Sequence, residues 1–182
     1  MTPFADRSSY IVDPKLPKLI LEELTNQVKA LTYTECTVGF NKIDKSLRTS
    51  TLAWLPWDTW IAGIMHNLFI SANNHFYNYD LDHFDSGIQA TKYEPDQFFG
   101  WHVDQSVTTY KPRKLSMSLV LDTEFEGGEL QIFNPRTHKI ESYDLKPGQV
   151  CIFPSWVSHQ VTPVTSGTRY SLVTWMNGPE FR

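Results

Sequence analysis

Long apolar runs are missing from this chain of 182 residues. Nothing in it approaches the roughly 20 apolar residues of a membrane span. The N-terminus, MTPFADRSSY, carries no apolar signal-peptide region. Cysteine is scarce as well. Cys36 and Cys151 stand far apart, and Cys151 lies in the apolar run QVCIF. Reduced, packed thiols are therefore expected rather than a bridge, and with them a cytoplasmic location. There is no cluster of Lys or Arg. With 16 basic residues against 20 acidic ones and a net charge of −4, neither a nucleic-acid partner nor a membrane surface is expected. Internal repeats, low-complexity segments and Gly/Ser linkers are absent, so residues 1–182 read as one domain.

What is present has the balance of an ordinary globular chain, 41% hydrophobic and 20% charged, with length enough for a sizeable core. Aromatic residues reach 14% with six Trp, which supplies either a ring-lined pocket or a ring-rich core. Residues 1–85 look largely helical. Asp13 before Pro14 can start a helix whose face carries Leu16, Ile20, Leu24, Val28 and Leu31. A second stripe, Trp57, Trp60, Ile61, Ile64, Met65, Leu68, Phe69 and Ala72, predicts a helix from about Pro56 to Asn73. His66 falls just off that stripe.

From residue 86 to about 176 the texture changes. GIQATKYE, QFFGWHVDQ, KLSMSLVLD, GELQIFN, KIESYDL, QVCIFP, HQVTPV and TRYSLVTW are strand-like and separated by turn residues such as KPR, EGG, NPRT, KPG and TSG. Eight short strands without helical interruption exclude a parallel βαβ sheet and predict a β-sandwich of jelly-roll type, with the two helices packed outside.

His-x-Asp occurs twice, as His83 and Asp85 and as His102 and Asp104. On a strand, residues i and i+2 share a face, so His102 and Asp104 can converge on one metal ion. Trp101 and Val103 are then expected to pack on the opposite face. His83 and Asp85 lie in NYDLDHFDSG, a turn-prone acidic stretch that lacks the order of a calcium loop. The strand pair is favoured. For a third ligand, His138 sits at a hairpin tip and His75 behind the second helix, whereas His159 opens a strand that a jelly roll can fold back beside His102. Two imidazoles and one carboxylate on one face of a metal is the non-haem Fe(II) arrangement, with zinc as a chemically reasonable rival.

Arg169 follows His159 after a reversal marked by Pro163 and Gly167. It should stand deeper than the metal, and a buried guanidinium there needs an anionic partner. No dedicated carboxylate is nearby in sequence, so a bound dianion is a candidate, against the plainer reading of a surface ion pair.

KYEPDQFFGWHVDQ, RKLSMSLVLDTEFEGGELQIF and LKPGQVCIFPSWVSHQVTPVTSGTRYSLVTWM, taken in this order, resemble the Fe(II)/2-oxoglutarate-dependent oxygenases of the prolyl 4-hydroxylase-like branch. The resemblance covers about Gly87 to Trp175. It implies a double-stranded β-helix of cupin-like jelly-roll type, with Fe(II) held by His102, Asp104 and His159 and with 2-oxoglutarate and O2 as cosubstrates. It places Arg169 on the distal carboxylate of 2-oxoglutarate beside Ser171, with Tyr93 helping to hold the cosubstrate. Trp175, Phe99 and Arg48 (in LRTSTLAW) correspond to positions that line the substrate side. The implied reaction couples conversion of 2-oxoglutarate to succinate and CO2 with hydroxylation of a C–H bond. Related halogenases lack the carboxylate, so Asp104 points to hydroxylation.

The resemblance favours a prolyl residue in a peptide or protein as substrate. A free amino acid or another small molecule is the alternative within the same chemistry. A cupin-like binding module with structural histidines is the alternative outside it. Residues 41–57 and 76–87 are expected to form variable loops that select the substrate.

Overall fold

Alternation of side chains along the strands decides this architecture. The computed structural model describes residues 9–36, 43–85, 87–105, 112–122 and 124–180. In chain order the elements are β1 (Tyr10–Val12), α1 (Lys18–Lys29), β2 (Thr34–Glu35), β3 (Thr51–Leu55) and α2 (Trp60–Ala72). A π-helical turn, Asn73–Tyr77, leads to β4 (His83–Phe84), β5 (Ile88–Tyr93), β6 (Phe99–His102) and β7 (Arg113–Val120). Then come β8 (Phe125–Gly127), β9 (Leu130–Asn134), β10 (Lys139–Tyr143), β11 (Val150–Pro154), β12 (His159–Val161), β13 (Val164–Gly167) and β14 (Arg169–Asn177).

The larger sheet runs β1-β11-β7-β14-β5-β3-β2, with β4 also on β14; the smaller runs β10-β9-β12-β6; β8 and β13 pair with each other. Neighbours are antiparallel in both sheets. This is the double-stranded β-helix.

One face of the larger sheet is apolar. Leu115, Met117 and Leu119 of β7, Ile88 and Ala90 of β5, Leu172 and Met176 of β14, and Ile152 of β11 are all buried there. They pack against Leu24 and Val28 of α1 and Ile61, Met65, Phe69 and Ala72 of α2. The two helices therefore lie outside the jelly roll, as the periodicity required. The residues between these point the other way, toward the smaller sheet. Among them are Gln89, Thr91, Ser116, Ser118, Arg169 and Ser171, every one buried. A face of this composition makes a poor apolar core, because buried polar groups cost free energy unless they find partners. Such a composition suits the wall of a binding cavity. Gly167 makes the reversal from β13 to β14 at φ +72, where a Cβ would collide with the Glu124 carbonyl oxygen.

The predicted strands all form, and the two helices start later than expected. Pro14 and Pro17 keep residues 13–17 out of α1, and Asp13 accepts a hydrogen bond from the Lys15 amide (2.9 Å) instead of capping a helix. The buried face of α1 is Leu24, Thr25 and Val28, while Ile20 is 38% exposed. In α2 the apolar stripe stops short of the tryptophans: Trp57 is 67% exposed and Trp60 45%. Residues 1–85 are less helical than expected, because β1, β3, β2 and β4 extend the larger sheet. For the same reason the expected loops 41–57 and 76–87 contain β3 and β4. Trp101 (39% exposed) and Val103 (49%) stay open to solvent on the far side of the smaller sheet, since among the described residues the helices pack against the larger one. Cys36 and Cys151 are buried free thiols, and among the described residues no helix is long and apolar enough to cross a membrane.

Phe69 and Trp57 lie on one sequence stripe but in different environments, which separates them experimentally. Phe69→Ala should cost about 3–5 kcal/mol in urea-induced unfolding, whereas Trp57→Ala should stay within about 0.5 kcal/mol.

Candidate active site

β12 lies between β9 and β6, and its register sets His159 opposite both Ile132 and His102. Between the pairs His159↔His102 and Val161↔Phe99 the register shifts, with one residue of β12 facing two of β6. This bulge changes the parity of β6, so Phe99 and His102, three apart, point the same way. Their rings stack at 3.5 Å and 12°. The two imidazoles approach to 4.1 Å between centroids. Asp104 follows on the same chain segment, and its amide and that of Gln105 donate to the Ser155 carbonyl oxygen (2.9 and 3.0 Å). One ligand atom each from His102, Asp104 and His159 falls within a 4.8 Å span.

The atoms face each other correctly for a metal. His102 Nδ1 lies 2.8 Å from the Gly100 carbonyl oxygen and His159 Nδ1 3.0 Å from that of Val157. A carbonyl can only accept, so each Nδ1 carries the proton and each Nε2 keeps its lone pair. Those Nε2 atoms stand 3.7 and 3.5 Å from the Asp104 carboxylate. Burial, and then the nearby His159, push the pKa of His102 down to about 3, so it is a neutral donor at pH 7. Burial opposes ionisation of Asp104, but His159 and His102, followed by Trp175 and Ser116, outweigh it and hold its pKa below the usual 3.8. Ser116 donates to Asp104 Oδ2 at 2.7 Å and is itself 2.9 Å from Ser155 Oγ. The Trp175 indole N–H faces the same carboxylate, yet has no partner in hydrogen-bonding geometry.

On the opposite wall Arg169 is 2% exposed. It pairs with Tyr93 across the β14–β5 ladder and donates to Ser171 Oγ at 2.8 Å. Its guanidinium carbon lies 5.5 Å from the Tyr93 ring centre and 5.9 Å from that of Phe125. No carboxylate forms an ion pair with it among the described residues, and Nε has no hydrogen-bond partner. Desolvation lowers its pKa, opposed by Tyr93 and Asp122, while Asp122 is itself ion-paired with Lys29 at 2.9 Å.

The fold thus brings together every residue selected from the sequence except the disfavoured histidines. His102 and His159 come from the smaller sheet, and Arg169, Tyr93, Ser171 and Trp175 from the larger. Arg48 bridges Phe99 in an isolated pair. His66, His75 and His138 are exposed and away from the cluster. His83 lies on β4 against Asn177, and Asp85 ion-pairs with Arg113 at 2.8 Å; neither belongs to the cluster. That ion pair has a use. Arg113 sits 3.6 Å over the Trp175 ring, so Asp85 steadies the tryptophan beside Asp104. Ser116, Ser155 and Arg113 escaped the sequence reading, because nothing in their local pattern distinguishes them from strand and turn residues, and Asp85 was named there only as a disfavoured metal ligand.

Residues 88–177 match the 2OG-Fe(II) oxygenase superfamily. The segment includes all three cluster residues and Arg169. Through these residues the chain belongs to the 2OG-Fe(II) oxygenase superfamily. A PKHD-type hydroxylase of Synechococcus sp. (strain CC9605) is 41% identical over 80 residues, covering 43% of this chain and 36% of that protein. A PKHD-type hydroxylase of Shewanella oneidensis is 36% identical over 91 residues, covering 47% and 40%. The chain spans well under half the length of these curated relatives. Its fold is that of a Pseudomonas putida prolyl-4-hydroxylase, with a TM-score of 0.77, 19% identity and coverage of 95% and 94% of the two chains. A Trichoplax adhaerens prolyl hydroxylase in complex with a hypoxia-inducible-factor peptide fragment gives 0.80, 17%, and 94% and 84%.

The family works with Fe(II), 2-oxoglutarate and O2, and the residues of this chain fit the first two. Two imidazole nitrogens and one carboxylate leave positions open on an iron. Arg169, buried with Nε unpartnered, fits a carboxylate.

Ser116→Ala removes the donor that fixes the Asp104 carboxylate. Metal titration should show affinity lowered by about 10–100-fold with unchanged far-ultraviolet circular dichroism.

Proposed function

We propose that this chain is an Fe(II)- and 2-oxoglutarate-dependent dioxygenase that hydroxylates a C–H bond, with a prolyl residue of a peptide or protein as the leading substrate. The observation that carries the reading is the pairing of a His–Asp–His cluster on one wall with an unpaired buried arginine on the other. A metal site alone would suit a cupin-like binding module. Arg169 separates the two readings, since its burial without an anion is costly and the cosubstrate's distal carboxylate would relieve that cost. The names of the relatives support hydroxylation, and the prolyl hydroxylase folds support the choice of substrate. A free amino acid or another small molecule is the second reading. The helices and jelly roll act as one domain on this view, and its buried free thiols suit a cytoplasmic location.

In this mechanism His102 Nε2, His159 Nε2 and a carboxylate oxygen of Asp104 would hold Fe(II). When bound, Fe(II), 2-oxoglutarate and O2 supply an oxidant strong enough to hydroxylate a C–H bond, with succinate and CO2 released. The chain's own residues do the positioning. Gly100 and Val157 keep both Nδ1 protons turned away from the metal side. Ser116 and Ser155 hold the Asp104 carboxylate, which its neighbours keep ionised. Arg169, Ser171 and Tyr93 anchor the far end of the cosubstrate. Phe99 stacked on His102, and Phe153 at 4.6 Å from His159, exclude water around the imidazoles. Trp175, clamped by Arg113, borders the place left for the substrate.

Anaerobic addition of Fe(II) and 2-oxoglutarate should produce the weak visible charge-transfer band of the chelate. His102→Ala, Asp104→Ala and His159→Ala should abolish it and His83→Ala retain it. Survival of the band in His102→Ala would overturn the assignment. Arg169→Gln should raise the 2-oxoglutarate concentration required at least about tenfold. Succinate release in the presence of proline-containing peptides tests the substrate.

A further inference from the structure

Arg169 has a neighbour on each side in its sheet. Tyr93 of β5 lies opposite it on one side. On the other side β14 runs along β7, with Ser171 opposite Val120, and the Leu121 amide donates to the Tyr170 carbonyl oxygen at 3.2 Å. One more step of the same register brings Asp122 beside Arg169. Directly opposed residues of antiparallel strands stand about 4.5–5.5 Å apart at Cα, so a carboxylate is within reach of the guanidinium. Its charge is felt there, since Asp122 favours the ionised form of Arg169. Yet no ion pair joins the two, and Arg169 Nε has no hydrogen-bond partner. Something holds the carboxylate off.

Lys29, the last residue of α1, is placed to do so. Its Nζ lies 2.9 Å from Asp122 Oδ2 and 3.3 Å from Glu124 Oε2, and 5.5 Å from the centre of the Tyr170 ring. Thr25, one turn earlier on the helix, has its Oγ1 3.4 Å from the Leu121 carbonyl oxygen, so α1 is seated over this segment. Neighbouring residues of a strand face opposite ways, and Tyr170 packs with the helices while Arg169 faces the cavity. Lys29 therefore draws Asp122 toward the helix side. The Asp122 side chain is 12% exposed and Lys29 34%, so the acid depends on the ammonium more than on water. Among the described residues Lys29 is its one ion-pair partner. Without it a buried anion and a buried cation would stand side by side, each costly alone, and a change of rotamer at Asp122 would join them.

We propose that Lys29 is a positioning residue of the cosubstrate site: it holds Asp122 on the helix side of the sheet, prevents an internal ion pair with Arg169, and so leaves the guanidinium open to 2-oxoglutarate. This rests on the hydroxylase reading, in which Arg169 takes the distal carboxylate. Asp122 is then a latent competitor for that place. Apparent affinity falls by the fraction of molecules in which the competitor occupies the arginine. A residue on an outer helix thus sets cosubstrate affinity without touching the cosubstrate.

Isothermal titration of the full chain loaded with Mn(II) reads 2-oxoglutarate affinity directly. Lys29→Met should weaken it about tenfold, and Lys29→Arg, which keeps the charge, should stay close to the wild-type value. Asp122→Asn should bind at least as tightly as the wild type. Lys29→Met combined with Asp122→Asn should return to the wild-type value, which separates competition by Asp122 from a general loosening of α1. Thermal unfolding without 2-oxoglutarate identifies the folded variants, and Asp122→Asn keeps the test open if removal of Lys29 unfolds the chain. Unchanged affinity in Lys29→Met, a double variant as weak as Lys29→Met, or weaker binding by Asp122→Asn would each overturn the proposal. No binding of 2-oxoglutarate by the wild-type chain would instead sink the hydroxylase reading.

Discussion

Pairing of β12 with β6 puts two imidazoles side by side, and the rest of the jelly roll is arranged around that pair. β12 is three residues long and lies between β9 and β6, so its register is set from both sides. A slip of one residue would turn His159 outward and bring Gln160 in, since neighbouring strand residues face opposite ways. Val161, buried opposite Leu130, resists that slip from one end. The bulge in β6 resists it from the other, because only with the extra residue do Phe99 and His102 share the interior. The third ligand depends on the same frame. Asp104 lies just past the end of β6 and is tied by Ser155 and Ser116 to the larger sheet, so the metal position joins the two walls.

The larger sheet shows how one layer serves two purposes. Toward the helices it presents Leu, Ile, Met and Ala, a surface that contributes stability by leaving water. Toward the interior it presents Ser, Thr, Gln and the buried guanidinium of Arg169. In the free protein Arg169 Nε and the Trp175 indole N–H on that face lack hydrogen-bond partners. Ligands that complete them bind only the folded state and so add to its stability by mass action. The apolar face must therefore be large enough to hold the fold together while the interior waits, which accounts for two helices on a sheet of this size.

Much of this was legible in the residues, for reasons that differ from one to the next. β7 could be read because Leu115, Met117 and Leu119 alternate with serines, and β14 because Leu172 and Met176 alternate with Arg169, Ser171 and Trp175. His102 with Asp104 could be read because period two is the simplest rule of a strand. β3 could not: in TLAWL only Ala53 is buried, and Trp54 stays at the rim. The stripe of α2 ran too far because tryptophan counts as apolar wherever it sits, and Trp57 and Trp60 lie on the surface. The outward turn of Trp101 was foreseen and its exposure was not, since no sequence rule says which sheet the helices will cover. Asp85 illustrates the harder limit. Set aside as part of an acidic turn, it holds Arg113 against Trp175 through an ion pair between residues far apart in the chain, and no local pattern announces such a partner.

Each ligating imidazole is oriented by the carbonyl two residues before it on its own segment: Gly100 for His102, Val157 for His159. Aim is therefore set in good part by short backbone stretches. Exchanging the connections that border the opening leaves those two hydrogen bonds in place. Such a centre is modular in the evolutionary sense. The reacting metal can be inherited unchanged while the surrounding walls drift toward new targets.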